Sequence, residues 1–204
     1  MPTTLLAFVP IGVDLLKFVI LSVALLMAAI GAVPAFAGTD LKEDPSCAEV
    51  NYSYAATRSS WFYSAKLYDV RSDGPLKQIA EMRFDEDTAY FRDLRKQEWQ
   101  RGKRTNWTLM DVDGPKFRSC VLVGEGTENG KKVKHYTATW HLDPYAAYAD
   151  IWFWSEGKRA VRVKRRFMDR NQANQKFGAT EGTLMEIFDY DPTTGVAPDG
   201  PFEP

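Results

Sequence analysis

"WFWSEGKRAVRVKRRF", residues 152–167, decides the fold. The aromatic triplet Trp152-Phe153-Trp154 runs into the break Glu156-Gly157-Lys158, and a basic segment follows. In that second segment Arg162, Lys164 and Arg166 alternate with Val161, Val163 and Phe167. A period of two marks a strand with one face on a core and the other outside. Residues 148–155 and 159–168 therefore read as a β-hairpin. Aromatic platforms beside basic side chains are also how proteins hold single-stranded nucleic acid. The rest of the chain speaks against that use, because the formal net charge is only −1 and a near-neutral protein is a poor general polyanion binder.

The same period extends in both directions. Upstream, "KVKHYTATWHL" (132–142) alternates, and Asn129-Gly130 ahead of it is a strong hairpin signal to the strand "KFRSCVLVG" (116–124). Earlier strands are "WFYSAKLYDVR" (61–71), "KQIAEMRF" (77–84) and "TAYFR" (88–92), separated by turns at Ser72-Asp73-Gly74-Pro75 and Asp85-Glu86-Asp87. The stretch from Asp93 to Trp107 suits a helix by composition, but Trp99 and Trp107 read as strand anchors, so short strands are expected there. Downstream, "DRNQANQKFGATEG" (169–182) reads as a polar loop before a last strand, "TLMEIFDYD" (183–191), and a Pro-rich tail. Asp44-Pro45 is a helix start, an N-cap acceptor followed by Pro at the first position. It opens a short helix from 45 to about 57 with Cys47, Val50 and Tyr54 on one face. The expected fold is mainly β (α+β). It has eight to ten antiparallel strands in a single curved sheet, an incomplete barrel, with a short N-terminal helix and no βαβ alternation.

Residues 18–30, "FVILSVALLMAAI", form an uncharged apolar run preceded by Lys17 and followed by Gly31, Pro34 and Ala35-Phe36-Ala37. This is the pattern of a secretory signal with a small-residue cleavage site. Residues 1–37 are read as the signal peptide and 38–204 as the domain, against the alternative of an uncleaved anchor. Asp14, with no Lys or Arg before Lys17, is unusual for the positive region of a signal. Export would place Cys47 and Cys120 in an oxidising compartment, where two cysteines usually pair. Two separately buried thiols are the alternative.

The order of these segments resembles the LolA/LolB/LppX-like superfamily of periplasmic lipoprotein-carrier-like half-barrels. The resemblance is carried by "MRFDEDTAYFRDLRKQEW" (82–99), "GEGTENGKKVKHYTATW" (124–140), "ADIWFWSEGKRAVRVK" (149–164) and the ending "APDGPFEP" (197–204). It implies an open half-barrel with an apolar concave face and an exported, periplasmic protein. Such a protein binds or carries a lipid or lipoprotein acyl chain without catalysis. The alternative on the same fold is an envelope protein-interaction or sensing domain with no lipid ligand. On this reading Trp61, Tyr63, Met82, Phe84, Tyr136, Trp140, Trp152 and Trp154 would line the cavity, although Ile151 and Phe153 could replace the last two. Arg162, Lys164 and Arg166 would face outward, toward solvent or transiently toward an anionic membrane surface.

No catalytic or cofactor pattern competes with this. His135 and His141 share a strand face but lie six residues apart, roughly 20 Å at strand rise, too far to hold one metal. "DVDG" (111–114) begins like a calcium loop but lacks the later ligands. No cofactor, metal, nucleic-acid partner or enzymatic activity is expected.

Overall fold

The computed structural model describes residues 43–96, 98–104 and 117–202. The signal-peptide reading of 1–37, the strand anchor at Trp107 and the "DVDG" turn lie outside them.

Nine strands form one antiparallel sheet. They are β1 (Phe62–Asp69), β2 (Lys77–Asp85), β3 (Thr88–Asp93), β4 (Gln100–Lys103), β5 (Phe117–Glu128), β6 (Lys131–Leu142), β7 (Tyr145–Trp154), β8 (Ala160–Phe167) and β9 (Thr183–Asp189). The spatial order is β4-β3-β2-β1-β9-β8-β7-β6-β5, so the sheet is not closed and β4 and β5 are its edges. The hairpin expected over 148–168 is present, with Ile151 opposite Val163 and Trp152 opposite Arg162. Asn129 and Gly130 both take positive φ in the β5–β6 turn, the geometry a two-residue hairpin needs to match strand twist.

Alternation sorts the side chains onto two faces. Ala147, Ala149, Ile151 and Phe153 of β7 are buried on the inner face, together with Val161, Val163 and Phe167 of β8. From β1 and β2 come Tyr63, Ala65, Leu67, Ala80, Met82 and Phe84, and from β9 Leu184 and Phe188.

One helix covers one end of that face. A 3-10 turn, Pro45–Cys47, leads into α1 (Ala48–Arg58). As the sequence implies, the Asp44 carboxylate accepts from the Ser46 backbone N–H at 2.9 Å. Its other oxygen accepts from the Ser119 N–H at 2.8 Å. Ser119 lies in a register shift of β5 with φ 53°. This bulge turns Cys120 inward, where it forms a disulfide with Cys47. The bridge thus staples the start of the helix to the edge strand.

Three further contacts fix α1 along its length. Glu49 accepts from Lys134 Nζ at 2.9 Å, Lys158 Nζ at 2.8 Å and the Tyr136 hydroxyl. The Tyr54 hydroxyl accepts from Arg165 at 2.8 Å. The Thr57 hydroxyl accepts from the Ala160 N–H at 2.8 Å and lies 3.0 Å from the Tyr190 hydroxyl. At the helix C-terminus, Arg104 donates to the carbonyls of Arg58 and Ser60.

The segment expected to be a polar loop contains a helix instead, α2 (Arg170–Phe177). Asp169 caps it by accepting from the Gln172 N–H, and Gly178 ends it in the left-handed conformation at φ 73°. Ala173 and Phe177, four residues apart, supply its packing face: Ala173 is fully buried, and the Phe177 ring stacks on Phe167 at 5.2 Å. A last short helix, α3 (Pro192–Gly195), turns the chain back against β1. There a Cβ on Gly195 would sit 2.9 Å from the Tyr63 backbone N. The tail then crosses the outer face, where the Trp99 N–H donates to the Pro201 carbonyl at 2.8 Å.

Two stability predictions follow from the way α1 is held. The disulfide joins residues 73 apart, so a Cys47→Ser/Cys120→Ser double variant should lose about 4 kcal/mol of unfolding free energy in the chain-entropy model. Equilibrium urea denaturation measures this, and an unchanged midpoint would contradict it. The lysines and Tyr136 around Glu49 hold its carboxyl at about 2, against an ordinary 4.5. Its stabilising contribution is therefore complete above pH 4.5 and is lost as pH falls toward 2. Glu49→Gln should flatten the stability-versus-pH curve in that window, modestly because the carboxylate is partly solvated, and should leave the shape of the curve above it unaltered.

Candidate functional site

α1 crosses the strands at the end marked by Tyr63, Phe84, Phe153 and Ala160. At the other end the inner face holds a cavity of about 790 Å³. Its apolar lining includes Leu67 from β1, Met82 from β2, Phe91 from β3, Leu142 and Tyr145 from the β6–β7 turn region, and Phe177 from α2. β2–β3 and β6–β7 lie on opposite sides of β1, β9 and β8 in the strand order. They can line one cavity only because the sheet curls.

Local irregularities shape this end. The β1–β2 register slips between Leu67 and Tyr68, so that Leu67 pairs with Ala80 and Tyr68 with Gln78. Ile79 is the extra residue of this bulge, and its side chain joins the cavity wall. The loop after α2 is tied to β1 by Asp69, whose carboxylate accepts from the Thr180 N–H at 2.9 Å, the Thr180 hydroxyl at 2.6 Å and Arg71 Nε at 3.0 Å. Burial pushes the Asp69 carboxyl up, but these hydrogen bonds outweigh it and hold the group below the ordinary aspartate value. Across the mouth, hydrogen bonds from Arg95 hold Asp93 low in the same way. The lining also includes Lys77 and Lys176, both exposed.

The residues expected to line a cavity divide three ways. Met82 does line it. Tyr63, Phe84, Tyr136 and Trp140 are on the inner face, but they are packed core rather than cavity wall. Tyr63 stacks on Phe84 at 4.3 Å, Tyr136 donates to Glu49, and the Arg165 guanidinium lies over Trp140 at 4.9 Å. Trp61, Trp152 and Trp154 are not on the inner face. Trp61 precedes β1 and is 68% exposed, while Trp152 and Trp154 take the parity opposite to the fully buried Ile151 and Phe153. The physical reason is visible in β7. Asp150 shares the parity of Trp152, and a carboxylate is among the residues least tolerated inside.

On the outer face the tryptophans join the basic strand. Trp152 is sandwiched between the His135 ring at 4.2 Å and the Arg162 guanidinium at 4.4 Å, and Asp150 Oδ1 lies 3.0 Å from His135 Nε2. Arg166 lies over Tyr148 at 5.4 Å and Lys131 over Trp154 at 5.5 Å. Arg162, Lys164 and Arg166 do point outward, at right angles to the sheet in the manner of any alternating strand. Among the described residues no cluster of three or more His, Cys, Asp or Glu could hold a metal ion.

One residue of the basic strand points the other way. Arg165 is fully buried on the inner face, paired with the buried Glu186 of β9 and donating to Tyr54 of α1. Burial disfavours its charge, but Tyr54 and Glu186 outweigh that and keep the guanidinium's pKa above its ordinary value. The signal was parity: Arg165 sits between Val163 and Phe167, and Glu186 between Leu184 and Phe188.

No protein-family model matches the chain, and no curated protein matches it. Among solved structures, the chain is similar to the Mycobacterium tuberculosis lipoprotein LppX, with a TM-score of 0.43 and 16% identity, over 72% of this chain and 95% of that one.

The two faces of β8 predict opposite responses to mutation. Arg165→Met leaves Glu186 buried without its partner and should cost about 3–5 kcal/mol. The triple variant Arg162→Gln/Lys164→Gln/Arg166→Gln should shift the urea midpoint little, since charges on a half-exposed outer face contribute little each. A triple variant that unfolds would reverse the face assignment.

Proposed function

We propose that this chain is a non-enzymatic binding or carrier protein that takes the apolar part of a lipid, or an acyl chain, into the cavity at the open end of the sheet. The observation that carries the reading is the cavity itself. Its volume of about 790 Å³ falls within the range of about 300–1,000 Å³ common for small-molecule sites. Its wall is built from side chains of five strands and a helix whose apolar groups would otherwise fill a core. The family pattern read in the sequence points to the same use. The apolar run and cleavage-site pattern in 1–37 and the Cys47–Cys120 bridge fit an exported protein, with residues 38–204 as the working domain and the periplasm as its place. Among the described residues no helix is long and apolar enough to cross a membrane.

The outer ladder of Trp152, Arg162, Lys164 and Arg166 supplies a surface for transient contact with anionic membranes. Each basic side chain near such a surface contributes about 1 kcal/mol, screened by salt. A second reading, an envelope protein-interaction domain, is favoured by one observation. Val121, Leu122 and Val123 are 60%, 47% and 55% exposed on the edge strand β5, where an added strand could pair.

The first reading is tested on full-length protein exported in a bacterial expression host, purified and extracted with organic solvent for mass spectrometry. A near-stoichiometric lipid or acyl compound is expected from wild type and should be lost from Met82→Trp, which fills the cavity. Lipid-free extracts from wild type, with no uptake of added lipid, would sink the carrier reading and leave the edge-strand interaction module.

A further inference from the structure

The cavity has a mouth as well as a wall, and the mouth is charged. Its lining contains four cationic side chains, Arg71, Lys77, Arg95 and Lys176, and two carboxylates, Asp69 and Asp93. The carboxylates are already committed: Asp69 to Arg71 at 3.0 Å and Asp93 to Arg95. Both carboxyls are held below their ordinary value by these bonds, so they remain ionised and paired. Lys77 and Lys176 have no acidic partner among the described residues. Four cations against two anions leave two positive charges, and the two free ones stand on different elements, β2 and α2.

From this arrangement we infer that the ligand of the cavity is a single-chain amphiphile with an anionic head, a carboxylate or a phosphate, its chain on Leu67, Met82, Phe91 and Phe177 and its head between Lys77 and Lys176. The inference rests on the carrier reading and narrows it. Lysine ammonium groups are hydrated point charges on flexible stems, suited to an anion held at a wet rim rather than to a buried pair. Arg71 and Arg95 cannot serve equally, because each would have to give up its carboxylate. A neutral head would leave both lysines without any gain from binding, and a cationic head would be repelled. The size of the cavity argues for one chain, since a lipoprotein's several acyl chains would need more room. α2 ties the head site to the chain site. Phe177 forms part of the apolar wall, and its neighbour Lys176 reaches the rim.

The test is displacement of the neutral fluorophore N-phenyl-1-naphthylamine from full-length protein, each competitor kept below its micellar concentration. Competitors are palmitate, palmitoyl lysophosphatidylglycerol, monopalmitoylglycerol and hexadecyltrimethylammonium. Wild type should prefer the two anionic competitors over monopalmitoylglycerol by roughly tenfold at low salt, the scale of one charge-assisted contact, and the preference should shrink with added salt. The better of palmitate and the phosphodiester identifies the head. Lys77→Gln/Lys176→Gln should abolish the preference while binding the fluorophore and monopalmitoylglycerol as wild type does. Lys77→Arg/Lys176→Arg should retain it. Equal displacement by neutral and anionic chains in wild type would overturn the head-group inference and leave the cavity reading standing. Failure of the fluorophore to bind, or binding untouched by Met82→Trp, would overturn both.

Discussion

The rest of the structure depends on a mismatch of dimensions. A helix with its side chains is about 10–12 Å across. Strands rise about 3.3 Å per residue, so an 8-residue strand such as β1 runs about 26 Å. A single helix laid across the strands covers less than half of their length. α1 does this at one end, crossing from Cys47 near β5 to Arg58 beside Arg104 of the β4 end. The inner face still has apolar residues beyond it, and among the described residues the short α2 and the curl of the sheet enclose them. A cavity at that end is a consequence of covering a long curved sheet with one helix.

Electrostatics follow the same division. Where α1 lies, every charge on the inner face is answered. Arg165 meets Glu186 and Tyr54, and Glu49 meets two lysines and Tyr136. Such pairs do not by themselves make a protein more stable than apolar packing would. They do set one position for the helix, because sliding it along the strands would strand Arg165 and Glu186 without a third partner. At the open end Lys77 and Lys176 have no acidic partner among the described residues. The outer face settles its charges by a different route, through rings. Trp99, nearly fully buried, lies under Arg83 and Arg92, both of which pair with Glu81, and the C-terminal tail closes over this group through Pro201 and Phe202.

Much of the fold was legible because a strand states its face every second residue. The hairpins at Asn129-Gly130 and Gly157-Lys158, the N-cap at Asp44 and the inward set Val161, Val163 and Phe167 all follow from period and turn chemistry. The cavity was less legible for a physical reason. Parity says which residues point inward, but not which inward residues are covered by a helix and which are left open. Tyr63, Phe84, Tyr136 and Trp140 satisfy the pattern as well as Met82 does, but they are packed against other side chains of the core. Trp152 and Trp154 were separable from Ile151 and Phe153 by the carboxylate of Asp150, whose parity they share. α2 is hard to read in the sequence because six of its eight residues are polar. Its signals were the cap at Asp169, the glycine at 178 and the Ala173–Phe177 spacing. The bulge at Ile79 had no signal in composition at all, since a register slip depends on the partner strand.

The contrast between the two helices bears on how a ligand would enter. α1 is held by a disulfide, by Glu49, by the Arg165 network and by Thr57, contacts spread over its whole length. Moving it would take the Tyr54 hydroxyl away from the buried Arg165–Glu186 pair and leave that pair short of a partner in an apolar interior, which is the costly way to open a protein. α2 has 8 residues and two packing side chains, Ala173 and Phe177, and the loop behind it is moored by Asp69 to Thr180. A segment with few buried apolar contacts opens at lower free energy than one anchored in the core. A ligand entering the cavity would therefore pass α2 rather than α1. The residue that forms part of the wall, Phe177, and the lysine at the rim, Lys176, sit on the element that is easier to move.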